Sequence, residues 1–168
     1  MKWIASVVAV IVLVGALAVV LYRERTVERS IEIPASPAEV WRVLIDFDAY
    51  PQWNPFVVHA AAPDGLTVGE KLDVRISNGG SETGFRPLVL AVTPDAELRW
   101  VGRVLVPRLL DGEHFFRLEA TPTGTRFTQG EHFRGVLVPL VGSAIDVTDG
   151  FDAMNTALRD RVLATIAR

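Results

Sequence analysis

Hydrophobic and polar residues follow three successive patterns along the chain. Residues Trp3 to Tyr22 form a run of 20 residues without a charge, which is long enough for a helix to cross a bilayer. From residue 57 to residue 134 apolar and polar positions mostly alternate, as they do in strands with one buried face. From Asp146 onward the apolar residues recur at helical spacing. The pattern predicts an apolar N-terminal helix, an antiparallel sheet and a closing helix.

The segment from Ile31 to Phe56 contains the densest local signals. Ile31 and Ile33 alternate with polar neighbours, as in a half-buried strand. Ser36 is followed by Pro37 and Glu39, which together form a capping box with proline at the first helical position. The apolar residues that follow lie on one broad helical face: Val40, Trp41, Leu44, Ile45 and Phe47. Tyr50-Pro51 disfavours helix at the tyrosine, and Trp53 to Phe56 then form a proline-stiffened turn.

The middle of the chain is predicted to be a meandering sheet, because short turns join strands that pair antiparallel. Leu72, Val74 and Ile76 indicate one strand, and residues 78–81 form a turn. Two further strands, 85–92 and 98–106, are joined by the turn-forming residues 93–97. Residues 113–120 and 126–134 form the last hairpin, around Thr123-Gly124. The closing helix spans residues 146–168.

Two motifs carry a resemblance to a known family. PASPAEVWRVLIDFDAYPQWNPF, residues 34–56, and GFDAMNTALRDRV, residues 150–162, resemble the opening and closing motifs of the SRPBCC (START-like) superfamily, which includes polyketide cyclase/dehydrase-like proteins. The resemblance implies an α+β helix-grip fold, in which a curved antiparallel sheet wraps around a long C-terminal helix. It also implies a hydrophobic cavity between the sheet and that helix. Residues 26–168 are the predicted helix-grip domain.

Residues 1–25 are predicted to be one transmembrane anchor. Trp3 and Tyr22 lie at the ends of the apolar run, where aromatic belts form. The alternative is a cleaved signal peptide, because residues 16–18 read Ala-Leu-Ala. Arg23, Arg25 and Arg29 favour a cytoplasmic position for the domain that follows. We therefore expect a single-pass membrane protein.

Composition narrows the possible partners. The chain has 168 residues, 49% hydrophobic content, no cysteine and a formal net charge of −3. This length allows one domain with a real core, and the lack of cysteine removes disulfides and thiolate metal sites. The acidic balance argues against nucleic acid as a partner. We expect no cofactor and a monomeric domain. His59, His114 and His132 lack the spacing of a metal site.

The last hairpin contains the candidate chemistry. A loop at Thr123-Gly124 would pair Glu131 with Phe116, Gln129 with Leu118 and Phe133 with His114. One face would then be apolar except for His114, Gln129 and Glu131, with Glu131 diagonal to His114. A carboxylate and an imidazole in an apolar cavity could orient a ligand or act as acid and base. The alternative is a hydrogen-bonded structural pair.

We predict that the domain binds a hydrophobic small molecule or lipid, delivered from the membrane through the N-terminal tether. The first alternative is an enzyme of the cyclase, dehydratase or hydrolase type on an aromatic or polyketide-like substrate, with Glu131 and His114 as catalytic candidates. The second is a cochaperone-like domain that binds a protein partner through the apolar segment 135–142. The candidate cavity residues are Trp53, Phe56, Trp100, His114, Phe116, Leu118, Gln129, Glu131, Phe133, Phe151, Met154 and Leu158.

Overall fold

A computed structural model describes residues 2–167, apart from the side chains of Lys2, Ala5, Ala9, Ile11, Val14, Ala18, Val19, Ser143 and Ala144. The helices are α1 (Lys2–Leu21), α2 (Pro37–Leu44), α3 (Tyr50–Trp53), α4 (Val138–Val141) and α5 (Thr148–Ile166). The strands are β1 (Arg23–Ile33), β2 (Val57–Ala61), β3 (Asp73–Asn78), β4 (Ser81–Phe85), β5 (Leu88–Thr93), β6 (Glu97–Arg103), β7 (Asp111–Thr121) and β8 (Gly124–Gly135).

The strands form one curved antiparallel surface. Five of them lie in the order β1-β8-β7-β6-β5, and β2-β3-β4 form a second ladder. A bridge between Lys71 and Leu88 joins the two ladders, together with hydrogen bonds from Leu72 N to Pro87 O (3.0 Å) and from Val89 N to Glu70 O (2.9 Å). The predicted α+β architecture, with a curved sheet and a long C-terminal helix, is confirmed.

Pro87 shortens the predicted strand 85–92 to β5, and the sequence did not predict β4. The alternation over residues 85–92 predicted a single strand, whereas β4 ends at Phe85 and β5 begins at Leu88. Pro87 has no N–H to donate to a ladder, so the chain bends there. The next strand is also shorter than predicted, since β6 ends at Arg103.

The last hairpin is shifted by two residues from the predicted register. Thr121 pairs with Gly124, so the loop is Pro122-Thr123 and His114 lies directly opposite Glu131. Gly124 is the first residue of β8 and lies so close to the backbone of Ile33 and Pro34 that a Cβ there would overlap it. Its φ of 147° also favours glycine. A shift of two residues keeps every side chain on its predicted face.

The capping box before α2 forms as predicted. Ser36 Oγ accepts from Glu39 N (3.4 Å) and the Ser36 N–H donates to Glu39 Oε2 (2.7 Å). The prediction that Tyr50 would avoid helical conformation is wrong: Tyr50 begins α3 with φ −52° and ψ −44°. Its ring is fully buried, and its hydroxyl donates to Leu44 O at 2.6 Å. This buried contact outweighs the local preference of a residue before proline.

Helix α5 closes the concave face of the sheet. Phe151, Met154, Leu158 and Val162, which have the spacing of one helical stripe, are all fully buried. Two ion pairs connect β1 to α5 and to the residues just before it. Arg25 pairs with Asp146 at 3.6 Å, and Arg29 pairs with Asp152 at 3.3 Å. The core therefore lies between α5, α2 and the sheet.

The predicted membrane anchor is the main correction. Over the part of the chain whose side chains are described, no helix combines the length and the apolar character that crossing a membrane requires. The prediction took the uncharged run of residues 3–22 as a spanning segment from the sequence alone, and α1 covers Lys2–Leu21. The predicted single-pass membrane localisation is wrong.

Candidate functional site

A polar cluster lies on the inner face of the sheet, against α5. Trp100, His114 and Glu131 are aligned on three neighbouring strands, β6, β7 and β8. Gln129 lies two residues before Glu131 on β8 and therefore on the same face, and it contacts Met154 on α5. Alternation along the strands turns these side chains inward, where the surrounding residues are apolar.

His114 is held on both sides of its ring. Its Nδ1 lies 2.9 Å from Glu131 Oε2 and its Nε2 lies 3.3 Å from Gln129 Nε2. An ionised carboxylate only accepts hydrogen bonds, so Nδ1 carries the proton and neutral Nε2 accepts from the amide. Trp100 stacks on the imidazole with a centroid distance of 5.0 Å and an interplanar angle of 10°. Phe116 and Phe151 present edges to the same ring at 4.6 and 5.3 Å.

Two buried acceptor atoms near this cluster have no partner. Gln129 is fully buried and its Oε1 makes no hydrogen bond. Asn155, which follows Met154 on α5, donates from Nδ2 to Arg29 O (3.3 Å) and leaves its own Oδ1 without a partner. A buried polar atom without a partner costs about 1–3 kcal/mol, so these atoms mark places where a bound molecule would gain hydrogen bonds.

One of two paired glycines leaves space beside the Glu131 carboxylate. Gly102 on β6 and Gly112 on β7 are paired across the strands. A Cβ on Gly112 would overlap Glu131 Oε1, whereas a Cβ on Gly102 would only touch the Phe85 ring at 3.4 Å. The Glu131 carboxylate thus occupies room that only glycine provides on β7.

Of the other predicted cavity residues, Leu118 and Phe133 lie on the same sheet and Leu158 lies on α5, whereas Phe56 precedes β2. Phe56 packs edge-on against Phe151 at 5.4 Å, and Phe116 stacks on Phe127 at 5.8 Å. Leu118, Phe133 and Leu158 are buried in the same core. Trp53 lies apart from the His114 cluster, against Tyr50 on α3, and its Nε1 has no hydrogen-bond partner.

Sequence reasoning missed Asn155, Gly102 and Gly112. Asn155 lies next to Met154 on the buried side of α5, where it reads as an ordinary polar helix residue. The glycines lie in strands, and a glycine inside a strand is a signal for close approach of another group. That signal was present at both positions.

The outer face of the sheet carries paired charges. Glu113 pairs with Arg134 and with Arg99, and Arg126 pairs with Glu32 at 2.9 Å. Arg86 and Arg103 are exposed, so neither contributes to the inner cluster. At the start of α5, hydrogen bonds from Thr148 hold the pKa of Asp146 below its usual value, and Arg25 and Arg29 add to the effect. The inner cluster is thus separated from the charged surface.

The apolar segment 135–142 is partly covered. Val138 is buried, Val136, Leu137 and Val141 are half-buried, and Leu140 is 70% exposed. Backbone hydrogen bonds from Val136 and Leu137 attach it to residues 108 and 109. Only Leu140 among the described residues of this segment offers a large exposed apolar side chain, which removes most of the support for a protein-docking role.

Four described surface cavities lie around this core. One cavity of about 500 Å³ lies between the β3–β4 turn and the start of α5. Asn78 Nδ2 donates a hydrogen bond to Asp146 O at 3.2 Å beside this cavity. None of these four is lined by His114, Gln129 or Glu131. Within the described part of the chain no group of three or more His, Asp or Glu residues could hold a metal ion.

Comparison with solved structures supports the fold. The Zhui aromatase/cyclase of a Streptomyces species aligns with a TM-score of 0.68 at 13% identity, covering 86% of this chain and 96% of that one. A norcoclaurine synthase point mutant from Thalictrum, solved with a transition-state analogue, aligns at 0.66 and 15% identity, covering 86% and 97%. A Mesorhizobium loti protein aligns at 0.60 and 26% identity, covering 82% and 98%. A comparison with curated proteins found no match.

The family is shown by the sequence itself. A family model described as polyketide cyclase / dehydrase and lipid transport matches residues 24–165, which includes every strand of the sheet except the first residue of β1, and nearly all of α5. The buried inner cluster thus lies within the matched region. The chain belongs to the polyketide cyclase / dehydrase and lipid transport family.

Proposed function

We propose that this protein binds an apolar small molecule between the inner face of its sheet and α5. The observation that carries the proposal is the fully buried Gln129 with its unpartnered Oε1, next to the His114 ring that Trp100, Phe116 and Phe151 surround. Binding sites for small molecules are typically apolar and contain a few convergent polar groups. The family description, which names lipid transport, supports a ligand of this kind.

The apolar walls would supply most of the affinity. Trp100, Phe116 and Phe151 present ring faces and edges around His114, and burial of apolar surface contributes about 25 cal/mol per Å². His114 and Gln129 would orient the molecule. The side chains in this region pack against one another, so a ligand would be accommodated by movement of α5 or of its neighbouring loops away from the sheet.

Tryptophan fluorescence provides the test. Trp100 lies in the proposed site at 2% exposure, whereas Trp3 is 87% exposed on α1. We expect a naphthalene probe to change the emission of the full-length chain, the change to be lost in Trp100→Phe, and Trp3→Phe to keep it. A response that survives in Trp100→Phe would place the probe elsewhere and contradict the proposal.

A second candidate is acid–base catalysis on an aromatic or polyketide-like substrate. The hydrogen bond between His114 Nδ1 and Glu131 Oε2 favours it, because it leaves Nε2 as the unprotonated nitrogen of the ring, which a substrate that displaces the Gln129 amide could protonate. The aromatase/cyclase among the similar structures suggests the substrate class.

Two substitutions separate catalysis from binding. Under the catalytic proposal, His114→Gln and Glu131→Gln should abolish turnover of an aromatic polyketide mimic while probe binding persists. Turnover that is unchanged in both variants, with binding intact, would exclude the dyad as the catalytic group.

A further inference from the structure

The hydrogen-bonding state of the inner cluster specifies the polar group of its ligand. The hydrogen-bond donors of His114 and Gln129 already have partners. The His114 Nδ1 proton points to Glu131 Oε2. The two hydrogens of the Gln129 amide face His114 Nε2 and Met154 Sδ, both at 3.3 Å.

The opposite orientation of the Gln129 amide fits less well. It would place the amide oxygen against His114 Nε2 and against the Met154 sulfur. Nε2 would then have to carry a proton, and a neutral ring would present a bare Nδ1 to the Glu131 carboxylate, acceptor against acceptor. The described orientation avoids this conflict.

Among His114, Gln129 and Glu131, the unfilled hydrogen-bonding capacity is therefore acceptor capacity. Gln129 Oε1 and Asn155 Oδ1 are buried without partners. Glu131 uses Oε2 for His114, and its Oε1 occupies the space that Gly112 leaves open. A buried acceptor that lacks a donor is costly, and one that gains a donor recovers that cost.

We infer that the ligand carries a hydrogen-bond donor, most simply a neutral hydroxyl group on an apolar skeleton, and that carboxylates are rejected. A ligand carboxylate would bring a second negative charge toward Glu131 and would offer only further acceptors. On the neighbouring strand β1, Arg25 and Arg29 are already paired with Asp146 and Asp152, and Arg23 donates to the backbone carbonyls of Val20 and Tyr22. This inference rests on the proposed binding function and adds the chemical class of the ligand.

Four probes with one shared skeleton test the inference on the purified full-length chain. Naphthalene has no polar group, 2-methoxynaphthalene has an acceptor only, 2-naphthol adds a donor, and 2-naphthoate is an anion. By calorimetry we expect 2-naphthol to bind about tenfold more tightly than 2-methoxynaphthalene, which corresponds to one satisfied buried hydrogen bond. We expect 2-naphthoate to bind more weakly than naphthalene.

A pair of glutamine variants assigns the preference to the cluster. Gln129→Leu should reduce the 2-naphthol preference to less than about threefold while naphthalene binding persists. Gln52→Leu, at an exposed glutamine that contacts Arg161, should leave the preference intact. Should Gln129→Leu fail to fold, the ranking of the four probes on the unmodified chain still decides the matter.

The outcomes separate the two levels of the proposal. Equal binding of naphthalene, 2-methoxynaphthalene and 2-naphthol, or tightest binding of 2-naphthoate, would overturn the donor requirement and leave the binding function standing. A preference for 2-naphthol that survives in Gln129→Leu would also overturn it. Failure of all four probes to bind would overturn the binding function and the inference together.

Discussion

At the scale of single residues, the geometry of the inner cluster depends on a glycine, Gly112, as well as on the side chains that form hydrogen bonds. Gly112 leaves the space that the Glu131 carboxylate fills, and Glu131 in turn orients His114. The paired Gly102 faces the Phe85 ring at an ordinary contact distance. The two glycines therefore have different tolerance for a methyl group, although they lie side by side.

We expect Gly112→Ala to displace the Glu131 carboxylate from His114 Nδ1. The displaced group is the end of a flexible side chain, so the free energy of unfolding should change by less than about 1 kcal/mol. Probe binding should weaken, and the imidazole nitrogen shifts in ¹⁵N NMR should report the lost hydrogen bond. Gly102→Ala is the control and should leave both signals unchanged. Unaltered imidazole shifts in Gly112→Ala would contradict this assignment.

Tyr50 provides a prediction about alkaline stability. Burial raises the pKa of its hydroxyl well above the usual range, and Asp46 adds to the effect. The native state therefore keeps a proton that the unfolded chain loses near pH 10. The resulting stabilisation is complete below about pH 10 and is lost as the pH rises toward the native pKa.

We expect Tyr50→Phe to flatten the fall in the free energy of unfolding above pH 10, because phenylalanine has no proton to lose. At neutral pH the variant should be less stable by about 1–2 kcal/mol, since Leu44 O loses its donor. Urea unfolding across pH 8–11 measures both effects, with Tyr22→Phe as the control. Parallel pH profiles for Tyr50→Phe and the unmodified chain would contradict the argument.

At the scale of elements, the start of α2 was predictable from sequence because its signals are local. Ser36, Pro37 and Glu39 lie within four residues and satisfy each other. The register of the last hairpin was not fully predictable, because the position of Gly124 depends on its approach to Ile33, which is distant in sequence. The inward face was nevertheless predicted, since an error of two residues preserves alternation.

We expect Ser36→Ala to cost about 1 kcal/mol of unfolding free energy through the lost cap. The hydrogen bonds from Ser36 also hold the pKa of Glu39 below its usual value. Their stabilising effect is present above the unfolded pKa of the glutamate and is lost as the pH falls through the native pKa. The difference between Ser36→Ala and the unmodified chain should therefore shrink in acid. A constant difference from pH 7 to pH 3 would contradict this.

The packing of α5 against Phe56 provides a second prediction at this scale. A Cβ on Gly150 would overlap the ring of Phe56, which is buried and packs on Phe151. We expect Gly150→Ala to destabilise the protein by about 1–3 kcal/mol through overpacking. Gly84→Ala, where the nearest atom is 3.9 Å away, should be nearly neutral. Equal thermal stability of both variants would show that α5 can shift without cost.

At the scale of the whole molecule, two motifs at the ends of the domain were enough to predict the helix-grip architecture. The middle strands were less predictable, because Pro87 delays the start of β5 to Leu88 and β4 has no alternating apolar residues to indicate it. The predicted membrane anchor was wrong because it rested on counting an apolar run in sequence alone. The partners of Gln129 and Asn155 depend on how α5 meets the sheet, so their unfilled acceptors could not be predicted from the sequence.

Binding of an apolar molecule between the sheet and α5 is the function proposed for this chain. The most direct measurement is native mass spectrometry of the full-length chain, followed by solvent extraction of any bound molecule. We expect a stoichiometric adduct that extracts into organic solvent, and we expect its amount to fall in Gln129→Leu. A chain that carries no adduct, and gains none after incubation with hydroxylated apolar compounds, would contradict the claim.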